Sequence, residues 1–257
     1  MNLYYPPNTT SKACWVLDSL KQSHDATAIT DQTYRPGLGV FWGLANNNFN
    51  IIKQHQANSQ PWIFTDMPYW GRWMPDSDKD QAYWRIIPNA LHCNSIGNFD
   101  NTRAKKIGIE LQDWRTKGDY ILVCPSSPTM ERFLGEENWL QRTLVELNKH
   151  TDRLIVVRQK PRNNTTSGPA AATTPLEYDF KNAFAVVTLT SIVGVEAVCA
   201  GIPSFCHSLS PAAPVSNWNL ADIESPRRID RQNWVNTLAN HQYTTSELRQ
   251  GEHKHIL

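Results

Sequence analysis

Short apolar runs alternate with amphipathic stretches along this chain, and the alternation predicts an α/β fold. The clearest apolar runs are the predicted strands at 62–64, 120–124, 154–158 and 184–189. Between the last three runs, apolar residues recur at helical spacing, at 139–149 and 176–182. A strand–helix–strand order gives parallel strands joined by right-handed crossovers. We therefore expect mostly parallel sheets.

The chain length allows either one large domain or two small ones. At 257 residues and 40% hydrophobic content it can bury a substantial core. A polar stretch at 98–118 separates an aromatic, irregular first half from the regular alternation that follows it. We predict a first lobe at 1–115 and a second at 116–257, and the last helices belong to the second lobe or return to the first.

The segment from Phe184 to Pro203 contains the most informative pattern. An apolar strand ends near Leu189, Ser191 stands at the junction, and a short helix with one apolar face follows until Gly201. A hydroxyl and free backbone N–H groups at a helix start suit a phosphate, and Glu196, one turn later, can accept hydrogen bonds from ribose hydroxyls. The alternative is that Ser191 only caps its own helix.

Polar residues also follow the two preceding strands of the second half. Ser126 and Ser127 come after the 120–124 strand, and Arg158 and Lys160 end the next one. Ligands of open α/β sheets collect at the carboxyl ends of strands, so these residues are candidates for contacts with phosphate or base, and the two cations for a diphosphate leaving group. A serine–proline turn and a solvated strand end are the alternatives.

In the first half, Asp66 directly follows an apolar strand and precedes aromatic residues. A carboxylate there can act as general base toward an acceptor hydroxyl, while Trp70 offers a face for stacking and Arg72 a charge. Arg85 and Asn89 lie in the next aromatic stretch and are further acceptor-side candidates. The alternative for Asp66 is a turn or helix cap.

The sequence gives no indication of a required metal or of a bound cofactor. The acidic residues between Asp76 and Asp80 lie in a polar, turn-rich run that we interpret as a solvated loop. Phosphate-loop, dinucleotide and hydrolase glycine motifs are absent from the sequence.

The order Thr190-Ser191, Glu196-Ala197 and Gly201-Ile202-Pro203 resembles the donor-nucleotide motif of GT-B glycosyltransferases, including the capsule, sialic-acid and glycerophosphate transferase groups. The chain is also similar to small bacteriophage glycosyltransferase-like proteins. That second similarity rests on residues 41–43, 66–72, 83–86, 151–153, the Glu196 motif and the ending Asp230-Arg231 with Trp234.

The resemblance implies two small Rossmann-like lobes and a metal-independent enzyme that moves a sugar from a nucleotide-sugar donor to an acceptor hydroxyl. Thr190, Ser191 and Glu196 would then bind the donor, Arg158 and Lys160 its leaving group. Asp66 would activate the acceptor. The nucleotide sugar serves as co-substrate, and no cofactor is expected.

Bacteriophage relatives of this fold glycosylate hydroxymethylated pyrimidines, so DNA is one implied acceptor and a capsule-type glycan is another. A DNA acceptor calls for a basic strip across the cleft mouth, for which the candidates are Arg72, Arg85, Arg103, Lys105, Lys106 and Arg162. Alternatives from other classes are a non-catalytic nucleotide- or sugar-binding module and a structural phage protein.

Charge and cysteine usage add two expectations. A net charge of +1 and a pI near 7.7 do not favour nonspecific polyanion binding. Five cysteines without C-x-x-C spacing favour a reducing compartment. With no signal-like or membrane-spanning apolar run, we expect no membrane association and a cytoplasmic location, which for a phage protein is the host cytoplasm.

Overall fold

The computed structural model describes residues 1–7, 11–74, 76–159 and 175–257. The strands, numbered in chain order, are β1 (Asn2–Tyr4), β2 (Thr27–Ile29), β3 (Gly39–Trp42), β4 (Trp62–Asp66), β5 (Tyr83–Pro88), β6 (Tyr120–Cys124), β7 (Leu154–Val157), β8 (Ala183–Thr188), β9 (Ser204–Cys206) and β10 (Gln242–Thr244). The α-helices are α1 (Lys12–Ser23), α2 (Asn48–Ala57), α3 (Thr102–Ile107), α4 (Pro128–Leu134), α5 (Trp139–Leu147), α6 (Leu176–Phe180), α7 (Val193–Cys199), α8 (Gln232–Ala239) and α9 (Thr245–Gln250).

The chain is α/β, as predicted, and divides into two compact units. Unit 1 comprises residues 1–93, 99–108 and 236–257, and unit 2 comprises residues 94–98 and 109–235. The described residues form one six-stranded sheet, in unit 1, and one four-stranded sheet, in unit 2. The helices among these residues are too short or too polar to cross a lipid bilayer.

The sheet of unit 1 has the order β10-β5-β4-β3-β1-β2. β2, β1, β3 and β4 run parallel, whereas β5 is antiparallel to β4, and β10 is antiparallel to β5. Leu3, Val40 and Ile63 pack with the apolar face of α1 in one buried cluster. α9 begins with a complete capping box, in which Thr244 and Glu247 satisfy each other's backbone N–H groups.

The stretch at 98–118, predicted to link two lobes, contains α3. Two cationic side chains of this helix, Arg103 and Lys106, form ion pairs with Glu247 of α9. A carboxylate with only 5% of its side chain exposed needs such partners, and this explains why a polar helix packs here.

The sheet of unit 2 is entirely parallel and has the order β7-β6-β8-β9. Ile121, Val123 and Val187 face a cluster that includes residues of α5, while Leu122 and Val186 face a cluster that includes residues of α6 and α7. Both faces are therefore covered, which explains the uninterrupted apolar runs of β6 and β8.

The order in which strands are added to the sheet reverses between β6 and β8. From β6 the chain proceeds to β7 on one side, and from β8 it proceeds to β9 on the other. The loops that follow β6 and β8 therefore mark the topological switch point at the carboxyl edge of the sheet. In open α/β sheets this position is the usual place for a ligand.

Candidate functional site

The loops after β6 and β8 contact each other at the carboxyl edge of the unit 2 sheet. Ser126 Oγ accepts a hydrogen bond of 3.3 Å from the backbone N–H of Thr190, and Thr188 Oγ1 donates one of 2.6 Å to the carbonyl of Cys124. Thr190 is 2% exposed, and its own hydroxyl has no hydrogen-bond partner among the described residues. Two of the predicted donor-side residues, Ser126 and Thr190, thus lie together.

The serines next to this contact both bind local backbone. Ser127 is the N-cap of α4, where its hydroxyl accepts from the N–H of Met130 at 3.3 Å. Ser191 accepts from the N–H of Val193 at 3.4 Å, immediately before α7. Ser127 therefore caps a helix where the alternative considered was a turn, whereas the N-cap of α7 is Ile192 and Ser191 binds the backbone just before it. A contact with a donor stays a prediction for both serines.

Arg158 and Glu196 both act electrostatically on Cys124 at the end of β6. Burial raises the pKa of the Cys124 thiol to about 12; the Arg158 cation opposes this rise, and the Glu196 carboxylate adds to it. The Arg158 guanidinium also forms an ion pair with Asp179 of α6, so it is already partnered. Lys160 lies outside the described residues.

A cavity of about 490 Å³ opens in unit 2 at the carboxyl ends of β8 and β9, on the side where α5 packs. Its apolar wall includes Leu189, Phe205 and Trp139. The volume falls within the range of about 300–1,000 Å³ that small-molecule sites occupy. No motif in the sequence indicated this cavity.

Charged and polar side chains line the opposite part of the cavity wall. Glu136 forms an ion pair with Arg142, and its other carboxylate oxygen, Oε1, lies 3.9 Å from His207 Nε2. Trp218 is also part of the wall, although its side chain is 80% exposed. An exposed tryptophan beside a polar cavity offers a flat surface on which a sugar or base can stack.

In unit 1, Asp66 and Arg85 form a pair at the end of β4. Arg85 Nη2 donates to Asp66 Oδ2 at 3.0 Å, and Arg85 Nη1 donates to His92 Nδ1 at 3.2 Å. Because arginine can only donate, His92 accepts through Nδ1. Burial and the neighbouring Arg85 cation hold the pKa of His92 well below its usual range. A buried chain of polar groups therefore ends at a partly exposed carboxylate.

Two of the predicted acceptor-side residues are not exposed beside Asp66: Arg85 is buried, and Asn89 is exposed at the other end of β4. Arg85 is 3% exposed, so it supports Asp66 from inside the fold. Asn89 lies at the amino end of β4, where it exchanges hydrogen bonds of 2.8 and 3.0 Å with the backbone of Trp62. Asp66 is four residues further along the strand, about 13 Å away at 3.3 Å per residue.

The other two acceptor-side candidates, Trp70 and Arg72, lie in the loop that follows Asp66. Gln242 of β10 binds this loop: its side-chain oxygen accepts from Trp70 N at 3.2 Å, and its side-chain nitrogen donates to Trp70 O at 3.1 Å. Trp70 is half-buried and Arg72 exposed. Their acceptor-side role stays a prediction.

Three of the six candidates for the basic strip are neutralised within unit 1. Arg85 is paired with Asp66, while Arg103 and Lys106 share Glu247. Arg162 lies outside the described residues. Cations engaged in ion pairs contribute little to the field that attracts a polyanion, so these three residues give no support to a DNA acceptor. In the described part of the chain, His, Cys, Asp and Glu side chains form no cluster of three or more suited to a metal ion.

Comparison with solved structures places the fold among sugar transferases. The chain is similar to the beta Kdo 2,7 transferase of Thermosulfurimonas dismutans KpsC, with a TM-score of 0.53 and 13% identity over 95% of this chain and 92% of that chain. It is similar to the beta Kdo 2,4 transferase of the same KpsC, with a TM-score of 0.50 and 11% identity over the same shares. No family model matches the sequence, and the search of curated proteins gives no match. At this identity the likeness establishes a Rossmann-like glycosyltransferase fold.

Proposed function

We propose that the chain is a glycosyltransferase that binds a nucleotide-sugar donor at the carboxyl edge of the unit 2 sheet and transfers the sugar to an acceptor hydroxyl. The observation that carries this proposal is the cavity at the ends of β8 and β9. It opens on the same sheet edge at which Ser126 contacts Thr190. The shared fold with two Kdo transferases supports a sugar as the transferred group.

In this proposal the donor phosphates bind at the loops after β6 and β8, beside Ser126, Thr190 and Ser191. Glu196, one turn into α7, accepts hydrogen bonds from the ribose hydroxyls. A charge at the leaving group lowers the barrier to transfer, and we assign this charge to Arg158 and Lys160. No metal is included.

The ion pair between Arg158 and Asp179 makes this assignment testable. Asp179 competes with the donor phosphates for the same guanidinium, so weakening the pair should favour phosphate binding. Asp179→Asn is therefore expected to increase affinity for a nucleoside diphosphate several-fold, while Arg158→Gln decreases it. An opposite response of the two variants separates a phosphate contact from a structural ion pair.

On the acceptor side, Asp66 is the proposed partner of the acceptor hydroxyl. Arg85 Nη2 and the N–H of Met67 each bind one of its oxygens, and each oxygen retains a lone pair that can accept a proton or hydrogen bond. We propose a glycan acceptor in preference to DNA, since three of the candidate cations of unit 1, Arg85, Arg103 and Lys106, are engaged with carboxylates.

The test combines binding with transfer. Thermal unfolding is measured with UDP-, GDP- and CMP-sugars, because a ligand at a hundred times its Kd adds about 2.7 kcal/mol to the stability of the folded state. Any stabilising donor is then incubated with oligosaccharides and with hydroxymethylated DNA. Donor binding without transfer to either acceptor indicates a binding module, and the absence of any nucleotide or nucleotide-sugar effect contradicts the proposal.

A further inference from the structure

The connection between α4 and α5 places Glu136 in the cavity wall. Gly135, at a φ of +73°, ends α4, and Asn138, at a φ of +60°, precedes α5. Between them, the N–H of Glu136 donates to Glu131 O at 2.8 Å, and the carbonyl of Glu136 accepts from Trp139 N at 3.1 Å. The backbone of Glu136 is therefore fixed on both sides.

Arg142 fixes the side chain of Glu136 as well. The guanidinium, on α5, binds Oε2, so Oε1 is the oxygen that faces His207. The Glu136 side chain is 25% exposed, and the His207 side chain is 30% exposed. Both groups are thus partly desolvated and still accessible from the cavity.

The backbone sets the tautomer of His207. The N–H of Leu209 donates to His207 Nδ1 at 3.1 Å. Because Nδ1 accepts, the proton of the neutral ring is on Nε2, the atom that faces Glu136. The backbone of His207 is itself held, since its N–H donates to Leu189 O at 3.0 Å. The cavity therefore presents one donor, Nε2–H, beside one acceptor, Oε1.

These two atoms are too far apart to bind each other and close enough to share a hydroxyl. Their separation is 3.9 Å, beyond the range of about 2.7–3.2 Å for a hydrogen bond from nitrogen to oxygen. A hydroxyl oxygen placed about 2.8 Å from each atom can accept from Nε2–H and donate to Oε1. Amide, ketone and phosphate oxygens lack the proton that the carboxylate requires.

We propose that Glu136 and His207 bind one ring hydroxyl of the sugar moiety carried by the donor, and that this ring stacks on Trp218. The proposal rests on the proposed function and assigns the polar wall of the cavity to the transferred sugar. Sugar rings combine an apolar face with peripheral hydroxyls, and the cavity combines an exposed aromatic ring with a donor–acceptor pair. A ribose hydroxyl has the same chemistry, and the experiment below separates the two sources.

The central variant is His207→Asn. The Asn oxygen takes the place of Nδ1 and can still accept from Leu209 N, whereas the Nε2–H donor is lost. Trp218→Ala removes the stacking surface, and Tyr178→Ala is its matched control, since Tyr178 is also an exposed aromatic residue, at 70%, but lies on α6. Thermal unfolding without ligand verifies that all three variants are folded.

Calorimetry then compares UDP-glucose, GDP-mannose and CMP-N-acetylneuraminate with UDP, GDP and CMP. For the nucleotide sugar that binds, His207→Asn and Trp218→Ala should each weaken binding by about tenfold, the equivalent of one hydrogen bond or one aromatic contact. Binding of the corresponding nucleotide should change by less than twofold, and Tyr178→Ala should leave both unchanged.

Each outcome decides the proposal. Equal weakening of the nucleotide sugar and the nucleotide assigns the pair to ribose and overturns the assignment to the transferred sugar. Unchanged affinity for both ligands overturns it while the proposed function stands. If no nucleotide or nucleotide sugar binds the unsubstituted protein, both proposals fall. Nucleotide sugars that lack one sugar hydroxyl identify the hydroxyl concerned. The analogue that lacks it should bind the unsubstituted protein about tenfold more weakly, and His207→Asn should weaken its binding no further.

Discussion

Asp66 and Arg85 form an ion pair whose two members differ in burial. Arg85 Nη2 lies 3.0 Å from Asp66 Oδ2; the arginine side chain is 3% exposed and the aspartate side chain 31%. A buried guanidinium depends on its carboxylate more than a partly exposed carboxylate depends on it. The residue proposed to contact the acceptor therefore also stabilises unit 1, and its substitution affects both properties.

We expect Asp66→Asn to retain the fold at a cost of about 1–3 kcal/mol, since the buried Arg85 loses its counter-charge but keeps a hydrogen-bond acceptor. Urea unfolding measures the loss. Asp31→Asn is the matched control, because the pair of Asp31 and Arg35 is exposed on both sides and should contribute much less to stability than the Asp66 pair. Equal losses of stability in the two variants would contradict a larger stabilising contribution from the partly buried Asp66 pair.

Turnover of Asp66→Asn separates its two properties. If Asp66 accepts the proton of the acceptor hydroxyl, transfer should fall by about 10²–10⁴-fold at a temperature where the variant is fully folded, with donor affinity unchanged. Normal transfer by a folded Asp66→Asn protein would exclude that role.

Substitutions at Ser127 can also distinguish a structural role from a ligand contact. Its hydroxyl caps α4, so Ser127→Ala should cost about 1 kcal/mol, whereas Ser127→Asp, also a good N-cap, should restore the stability. If Ser127 contacts the donor phosphates, the new carboxylate should repel them and weaken nucleotide binding at least tenfold. Wild-type affinity in a stable Ser127→Asp protein would restrict Ser127 to capping.

Apolar runs predicted the strands that are buried on both faces, and missed β9 and β10. β6 and β8 stand out because both of their faces are covered. β9 and β10 are three residues each, too short to show a period. β5 was interpreted as an irregular aromatic stretch, because its four central residues are all buried and show no alternation of apolar and polar positions. α4 was missed because a serine–proline sequence indicates a turn as well as a capped helix start.

The site was predictable only where strand order determines it. Ser126 and Thr190 follow neighbouring parallel strands, so their proximity could be inferred. Glu136, His207 and Trp218 come from three separate loops, and no spacing links them. Asn89 was grouped with Arg85 by nearness in sequence, although the two residues lie beside opposite ends of β4.

The His24–His253 pair predicts an acid-sensitive fold. The two Nε2 atoms lie 2.8 Å apart. Burial, then the charges of His24, Lys254 and His255, lower the pKa of His253 to about 4. The pKa of His24 is lowered as well, by burial, Lys254 and the amino terminus. The fold therefore favours neutral rings in this pair.

For a group with a lowered folded pKa, the stabilising contribution is complete above the unfolded pKa of 6.5 and is lost as the pH falls toward 4. His253 should account for about 3 kcal/mol of this loss. Urea unfolding between pH 7.5 and 4 should show a shallower decline in His253→Gln, while His150→Gln, at a surface position, should retain the slope. Other buried histidines, such as His92, keep part of the decline in every variant. An unchanged slope in His253→Gln would contradict the assignment.

Gly201, the glycine of the motif that suggested a donor site, is required by packing. Its φ is +75°, and a Cβ there would lie 2.0 Å from the carbonyl oxygen of Asp113. The same approach allows Arg115 N to donate to Gly201 O at 2.7 Å. Neither the backbone conformation nor the close approach accommodates a side chain.

Gly201→Ala should therefore destabilise unit 2 far more than the strain of positive φ alone requires. Gly108→Ala is the matched control: its φ is +77°, with no atom within 4 Å of a new Cβ, so only the conformational cost of about 1–2 kcal/mol applies. Urea unfolding should show that Gly201→Ala costs at least 2 kcal/mol more than the control, because backbone rather than a flexible side chain must move. Similar losses of stability in the two variants would mean that the backbone around Asp113 moves at little cost. The glycine would then be required only for its positive φ.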